Sequence, residues 1–301
     1  MICRNIRVSF RTYGFSRKGD CPGGLGCLKF VGIDLAWGEN KPTGVAIINA
    51  SGLVERAQAN LWTNADICDF AGLDSPDGAV IAIDAPLVVR NTGQCRPVER
   101  QLTDIFWSCD AAPYPANLSN PAFGERGRIR TLVNRLEASG FVQRPVIARQ
   151  QEQQSFVEVF PSPALVTLFP GQNRREHIHC RALRYKFKKE RAWGEVHSEW
   201  EIYRARLRSL ECREPVLKFS PEVNKQIGID VTEFKGGRYK QFDDLLDGIF
   251  CAYLAYYFWY WGEDGCWVVG DLETGYVTLP RCRLSNCPLH ANAMLASAAP
   301  D

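Results

Sequence analysis

The sequence predicts an α/β protein in which strands come first and helices follow. Three observations carry this. Apolar runs of strand length recur between residues 28 and 83, separated by turn residues. Two later segments, Glu125–Ala138 and Asp243–Trp261, are helical in length and pattern. The first three strands are joined by connections too short for a crossover helix, whereas a doubly wound Rossmann protein alternates strand and helix from the outset.

Taken in order, Leu28–Leu35, Gly44–Ala50 and Leu53–Leu61 read as strands, with Asn49-Ala50-Ser51-Gly52 supplying hairpin-turn chemistry between the last two. Thr63–Phe70 reads as a short helix capped by Thr63 or Asn64. Ala79–Ile83 is apolar throughout, as a strand buried on both faces should be, and Asp84 and Pro86 end it. Arg96–Trp107 reads as helix, and the irregular, Pro-rich APYPANLSNPAFGE follows. In Glu125–Ala138 the apolar residues Ile129, Leu132, Val133 and Leu136 share one side, and Gly140 ends the helix. Phe156–Phe160 is a strand carrying Glu158 and closed by Pro161. Residues 174–212 are rich in Arg, Lys and Glu and read as helical from about Ala182. The long helix Asp243–Trp261 comes next, then a hairpin of Cys266–Gly270 and Gly275–Leu279, then a polar tail from Arg281.

Three strands in a meander, a helix, a buried strand, helices, a strand and a long terminal helix is the order of the RNase H-like fold, a mixed five-stranded sheet flanked by helices. The domain is expected at 28–280, with a basic helical insertion at about 170–241. A disordered basic extension is expected at 1–27 and a tail at 281–301.

Composition sets few limits. With 301 residues, 46% hydrophobic and 23% charged, the chain fits one large globular domain with an insertion. A net charge of +2 does not demand a nucleic-acid partner, so any such argument must be local. The 12 cysteines include no Cys-x-x-Cys, which removes the common zinc and thioredoxin signatures, and Cys251 reads as a small core residue. The longest apolar stretch, Leu245 to Trp261, is short for a membrane span and follows aspartates. A cytoplasmic protein without membrane attachment is expected.

The carboxylates carry the chemistry. Asp34 in FVGIDLAW and Asp84 in AVIAIDAPL both end apolar strands, and Glu158 sits inside one. Asp244 and Asp247, three apart, share a face at the start of the terminal helix, and Gly248 would let that helix approach the first strand. Carboxylates next to a low-dielectric core are expensive unless a cation or hydrogen bonds offset them. Each has a plain alternative: a turn residue for Asp34 and Asp84, an N-cap or dipole partner for Asp244 and Asp247. The joint pattern points to a divalent-metal site.

GIDLAW, IAIDAPL, CRPVERQL, VEVFPSPAL, DDLLDGIFCAYLA and VVGDLETGYVTLP, in that order, resemble the domain-of-unknown-function family 429 over about residues 29 to 280. That family is one of inferred nucleases of RNase H fold, distantly similar to RuvC-type Holliday-junction resolvases. The resemblance implies that Asp34, Asp84, Asp244 and Asp247 bind metal and that Glu158 is a ligand or proton-transfer group. Residues 1 to 28 have no counterpart in it, and Gly248 replaces the usual Ala.

The expected chemistry is two-metal hydrolysis of a phosphodiester in nucleic acid, with two Mg²⁺ or Mn²⁺ ions about 3.5–4 Å apart. Hard oxygen donors suit those metals and not zinc. Arg96 and Arg100 are expected on one helix face near Asp84. Lys186 and Lys188, interleaved with Tyr185 and Phe187, are expected to meet phosphate and stack on bases, unless that segment is only a solvated face. Arg126, Arg128 and Arg130 are further basic residues beyond the Pro-rich loop. His177, His179 and Cys180 read as surface residues rather than ligands, Cys287 and Cys282 carry no assignment, and Trp37 is expected to pack locally. Two alternatives stay open: a non-catalytic nucleic-acid- or protein-binding module, and a hydrolase or phosphotransferase acting on a small phosphoester. An actin-like ATP site is disfavoured, since GIDLAWGEN lacks a Gly/Thr-rich phosphate hairpin.

Overall fold

The computed structural model describes residues 28–75, 77–169, 181–186, 191–234 and 236–282. The expectations for the 1–27 extension, His177, His179, Cys180, Phe187, Lys188 and Cys287 fall outside them.

Strands β1 (Lys29–Asp34), β2 (Thr43–Asn49) and β3 (Leu53–Asn60) form the expected antiparallel meander. Asn49 Oδ1 accepts from the Ser51 and Leu53 amides, and Gly52 turns with φ +80°, a conformation that favours glycine. Helix α1 (Asn64–Ala71) follows, and Thr63 and Asp66 close a reciprocal cap at its start. Strand β4 (Ala79–Asp84) returns parallel to β1. Then come α2 (Pro97–Phe106), α3 (Arg128–Ala138), β5 (Val142–Gln143), β6 (Gln154–Glu158) and α4 (Pro161–Leu168). After these come α5 (Trp193–Ser209), β7 (Lys218–Phe219), α6 (Pro221–Ile227) and α7 (Arg238–Trp261). The hairpin of β8 (Cys266–Asp271) and β9 (Gly275–Pro280) completes the described chain.

The fold is α/β, with a seven-stranded, mostly parallel sheet in the order β5-β6-β4-β1-β2-β3-β7 and helices on both faces. The five strands expected from the sequence form its centre. The two-residue strands β5 and β7 extend it to seven by pairing parallel at the edges.

Pleating sorts the side chains. Phe30, Val80, Ala82 and Val157 enter the core beneath α7, whereas Val31, Ile33, Ile81, Ile83 and Phe156 enter the core beneath α1 and α3. Every residue of α7 from Phe242 to Trp259 is buried, because the sheet covers one side and α4, α5 and the hairpin pack on the other. That explains a helix apolar on all sides. No helix among the described residues is long and apolar enough to cross a membrane.

Two expected boundaries move furthest. Helix α7 starts at Arg238, not Asp243, so its aspartates lie beyond the first turn and are neither N-caps nor dipole partners. Helix α5 starts at Trp193 rather than near Ala182. Residues 181–185 have no regular secondary structure, because their polar groups bond outward: the Ala182 amide to Cys109 O and the Arg184 amide to Glu199. The Arg281–Cys282 end of the described chain is docked, with the Arg281 guanidinium donating to Cys266 O and Cys282 buried.

Candidate active site

Asp34 and Asp84 are register partners at the ends of the parallel strands β1 and β4. Register partners on adjacent strands, about 5 Å apart, send their side chains to the same face. Here that is the face covered by α7, since Phe30 and Val80, four residues earlier in each strand, belong to the core beneath it. Glycine brings α7 down onto this edge. A Cβ on Gly44, the antiparallel partner of Asp34, would lie 1.7 Å from Asp244 O, so the helix backbone rests on the strand beside Asp34. Gly248 sits at a close approach, but its own Cβ would meet Gly44 of β2 at 2.8 Å rather than the first strand; the close contact with β1 is made by its carbonyl, 2.2 Å from where a Cβ on Gly32 would stand.

Asp34, Asp84 and Asp244 therefore line one cleft of about 730 Å³. Asp34 and Asp244 are within hydrogen-bonding reach of each other, and the Oδ2 atoms of both lack any donor. Two acceptors so placed need a proton or a cation between them. Burial is the main force raising the Asp34, Asp84 and Asp244 carboxyls above the usual range, and the neighbouring carboxylates raise them further. Asp243, deeper in α7, accepts from Trp200 Nε1 at 2.6 Å, and burial pushes it up to about 8.

Asp247 is buried and does not line the cleft. Its Oδ1 accepts from Tyr185 at 2.6 Å and Tyr203 at 3.0 Å, and Lys186 Nζ stands 3.0 Å from its Oδ2. The insertion thus packs onto the acids through Tyr185, which is buried and hydroxyl-bound rather than free to stack on a base. Lys240, one turn before Asp244, pairs with it. Burial works against the Lys186 and Lys240 ammonium groups, but the surrounding carboxylates outweigh it and hold both charged.

Glu158 and Arg96 also line the cleft, but each is engaged by the other. Glu158 is in register with Ile83, not Asp84, so pleating turns it from the Asp84 side chain. Its Oε1 and Oε2 receive Arg96 Nη2 at 2.7 Å and Nη1 at 3.2 Å, and the Leu87 amide adds a third bond at 2.7 Å. Arg96 is only 3% exposed and also binds Glu99 Oε1 at 2.7 Å, so it is a buried anchor rather than a phosphate-binding surface residue. Glu158 is its counter-ion, not a group free for metal or proton transfer. Arg100 is exposed on α2 and does not line the cleft. Arg128 is buried and donates to Ala36 O, Gly38 O and Trp62 O, fixing the loop after β1. Trp37 packs edge-on against Phe123 with centroids 4.8 Å apart, at the cleft wall. Lys240 was missed by sequence reasoning, although its spacing to Asp244 is the helical i, i+4 signal. Trp107 and Tyr114 at the rim were missed too, and no periodicity marks them.

The model of the family described as "Protein of unknown function (DUF429)" matches residues 32–273 of this chain. The chain belongs to this family. No curated protein and no solved structure matches it. In this DUF429 member the matched span holds Asp34, Asp84, Asp244 and Asp247 together.

The donor set of Asp34, Asp84 and Asp244 fits a hard cation: carboxylate oxygens, two of them without donors, raised in pKa by burial first and by neighbouring carboxylates second. The cage is not ready-made, since among the described residues no group of three His, Cys, Asp or Glu side chains is placed to hold a metal ion. The raised carboxyls fix a sign for the metal-free protein. Between the ordinary value of 3.8 and about 8, the folded state keeps the Asp243 proton that the unfolded chain loses. That contribution is whole below pH 4 and is lost as pH rises through 8, by about 1.4 kcal/mol per pH unit for such a group. The thermal midpoint in EDTA should therefore fall from pH 5 to pH 8, and Mn²⁺ should recover more of it at pH 8 than at pH 5. A midpoint that rises with pH in EDTA would contradict the charge balance described.

Proposed function

We propose that this protein is a metal-dependent phosphodiesterase of RNase H-like fold that hydrolyses nucleic acid. The observation carrying the reading is the meeting of Asp34 and Asp244, with donor-less oxygens, in one cleft that Asp84 also lines. The fold assignment is supported by the central order β3-β2-β1-β4-β6, with β2 the one strand antiparallel to both its neighbours.

Asp34, Asp84 and Asp244 would hold two Mg²⁺ or Mn²⁺ ions. Such ions activate water and stabilise the leaving oxygen of a phosphodiester. The protein's own residues prepare that chemistry. Strand pairing fixes Asp34 beside Asp84, and the glycine contacts fix Asp244 against Asp34. Lys240 and Lys186 neutralise part of the carboxylate charge and are placed to contact phosphate at the cleft wall. Asp247 holds the Tyr185–Lys186 segment in position.

One observation favours a second reading, a non-catalytic module on the same fold: two ammonium groups already sit among the acids. Calorimetric titration of Mn²⁺, run beside cleavage assays on labelled DNA and RNA in Mg²⁺, Mn²⁺ or EDTA, separates the two. Metal binding with metal-dependent cleavage supports the nuclease. Metal binding with hydrolysis only of bis-(p-nitrophenyl) phosphate moves the substrate to a small phosphoester. Neither binding nor cleavage overturns the proposal and leaves the module.

A further inference from the structure

Among the described residues, the two most exposed large apolar side chains are Trp107 at 73% and Tyr114 at 71%, and both line the acidic cleft. Apolar area left in water is unfavourable, so two large exposed rings lining one cleft call for a use. Neither ring is loosely attached. Phe106, next to Trp107, is fully buried, and the turn at 107–109 is closed by the Ala111 amide on Phe106 O with Asp110 at φ +58°. Tyr114 stands between Pro113 and Pro115, and the Ala116 amide is pinned to Glu99 Oε2 at 3.0 Å. Glu99 belongs to the buried Arg96–Glu158 cluster, so that network serves to mount the rim of the cleft.

Cations share the same lining. Lys41 comes from the β1–β2 turn, and Arg191, whose Nη1 donates to Lys186 O at 3.0 Å, comes from the insertion. Exposed rings and cations lining one cleft with carboxylates are a combination that binds unpaired bases, since every base offers a π-face and the backbone follows the charges. A duplex hides its base faces within the stack and could not use these rings. A cleft of about 730 Å³ also has the size of a site for a small number of nucleotides rather than a double helix.

We infer that the substrate is single-stranded nucleic acid, with unpaired bases stacked on Trp107 and Tyr114 and the backbone led by Lys41 and Arg191 to the carboxylates. The inference rests on the nuclease reading for the fate of the strand, but not for its binding.

The test is fluorescence anisotropy with labelled oligo(dT), oligo(U) and a blunt DNA duplex, each of about 20 nucleotides or base pairs, longer than the strand sites of typical single-strand binders. It is run in Ca²⁺, which suits the same oxygen donors, with strand integrity checked on a gel. Wild type is compared with Trp107→Ala, Tyr114→Ala, the double variant and Trp107→Phe. Both positions are exposed, and unchanged thermal midpoints would verify that folding is intact. Single strands should bind more tightly than duplex, each alanine should weaken them about tenfold, and Trp107→Phe should retain most of the affinity. The oligo(dT) and oligo(U) arms tell DNA from RNA. Equal or tighter duplex binding, no binding of any strand, or alanine variants that bind like wild type would each overturn the inference. Duplex cleavage that disappears in Asp34→Asn would then leave the nuclease reading standing. Stacking-dependent binding without cleavage under any metal would sink the nuclease reading and leave the single-strand site.

Discussion

Asp34→Asn is expected to abolish metal-dependent cleavage while leaving the metal-free fold as stable as wild type or more so. The two effects come from one geometry. Asp34 touches the Asp244 carboxyl, shares its strand edge with Asp84, and has an Oδ2 without a donor. In the active protein that oxygen would face a cation, and losing its charge removes several kcal/mol of transition-state stabilisation. At about 1.4 kcal/mol per tenfold, the rate falls by about 10³ or more. In the metal-free protein the same charge is a burden, because burial and Asp247 both oppose it. Asparagine keeps the shape, removes the repulsion and supplies an N–H that can donate to Asp244. The thermal midpoint in EDTA should therefore hold or rise, the usual signature of a residue kept for function at the expense of stability. Single-turnover cleavage in Mn²⁺ and thermal unfolding in EDTA measure the two arms. Retained cleavage would remove Asp34 from the chemistry. A midpoint several degrees lower would make it a structural residue instead.

The parts of this site visible in the sequence were those whose position depends on local pattern. Asp34 and Asp84 end apolar runs bounded by turns, so their strands and their place at a sheet edge could be read directly. Gly248 signalled a close helix–strand approach because nothing else explains a glycine inside so apolar a helix. Properties set by register and tertiary pairing were hidden. Glu158 ends its strand as Asp84 does, yet it pairs with Ile83, and a one-residue difference in register reverses its face. Arg96 looks like any basic residue at a helix start, and only the folded chain shows two glutamates closing on it. The first turn of α7, Arg-Tyr-Lys-Gln-Phe, is polar and follows two glycines, so the helix seemed to begin at the aspartates. Strands β5 and β7 have two residues each, too few to show a period. Residues 181–186 have a helical composition but take their conformation from bonds to the 107–109 turn, α5 and Asp247, which composition does not encode.

Gly32→Ala should be strongly destabilising for the addition of a single methyl group, and it should disable the site even where the chain still folds. The cost comes from space, not backbone conformation. A Cβ on Gly32 would stand 1.9 Å from Ala252 N and 2.2 Å from Gly248 O. Both are backbone atoms within the α7 hydrogen-bond ladder, so no side-chain rotation relieves the contact. Either α7 lifts from β1 or its ladder breaks, and both expose or loosen a helix buried from Phe242 to Trp259. Overpacking a core usually costs about 1–3 kcal/mol, and a clash with rigid backbone on both partners belongs at or above the top of that range, about 4 kcal/mol. Gly93→Ala is the matched control, since nothing lies within 4 Å of its added methyl, and a surface change of that kind stays within about 0.5 kcal/mol. Urea unfolding of both variants gives the comparison. If Gly32→Ala unfolds at the wild-type midpoint, α7 does not rest on β1 as described, and Asp244 cannot be held against Asp34. If it is strongly destabilised but still folded in the cold, cleavage there should fall with it, because lifting α7 carries Asp244 away from the strand-borne pair. The same glycine contact that lets the core close also brings the third carboxylate to Asp34, so packing and chemistry at this site depend on one missing methyl group.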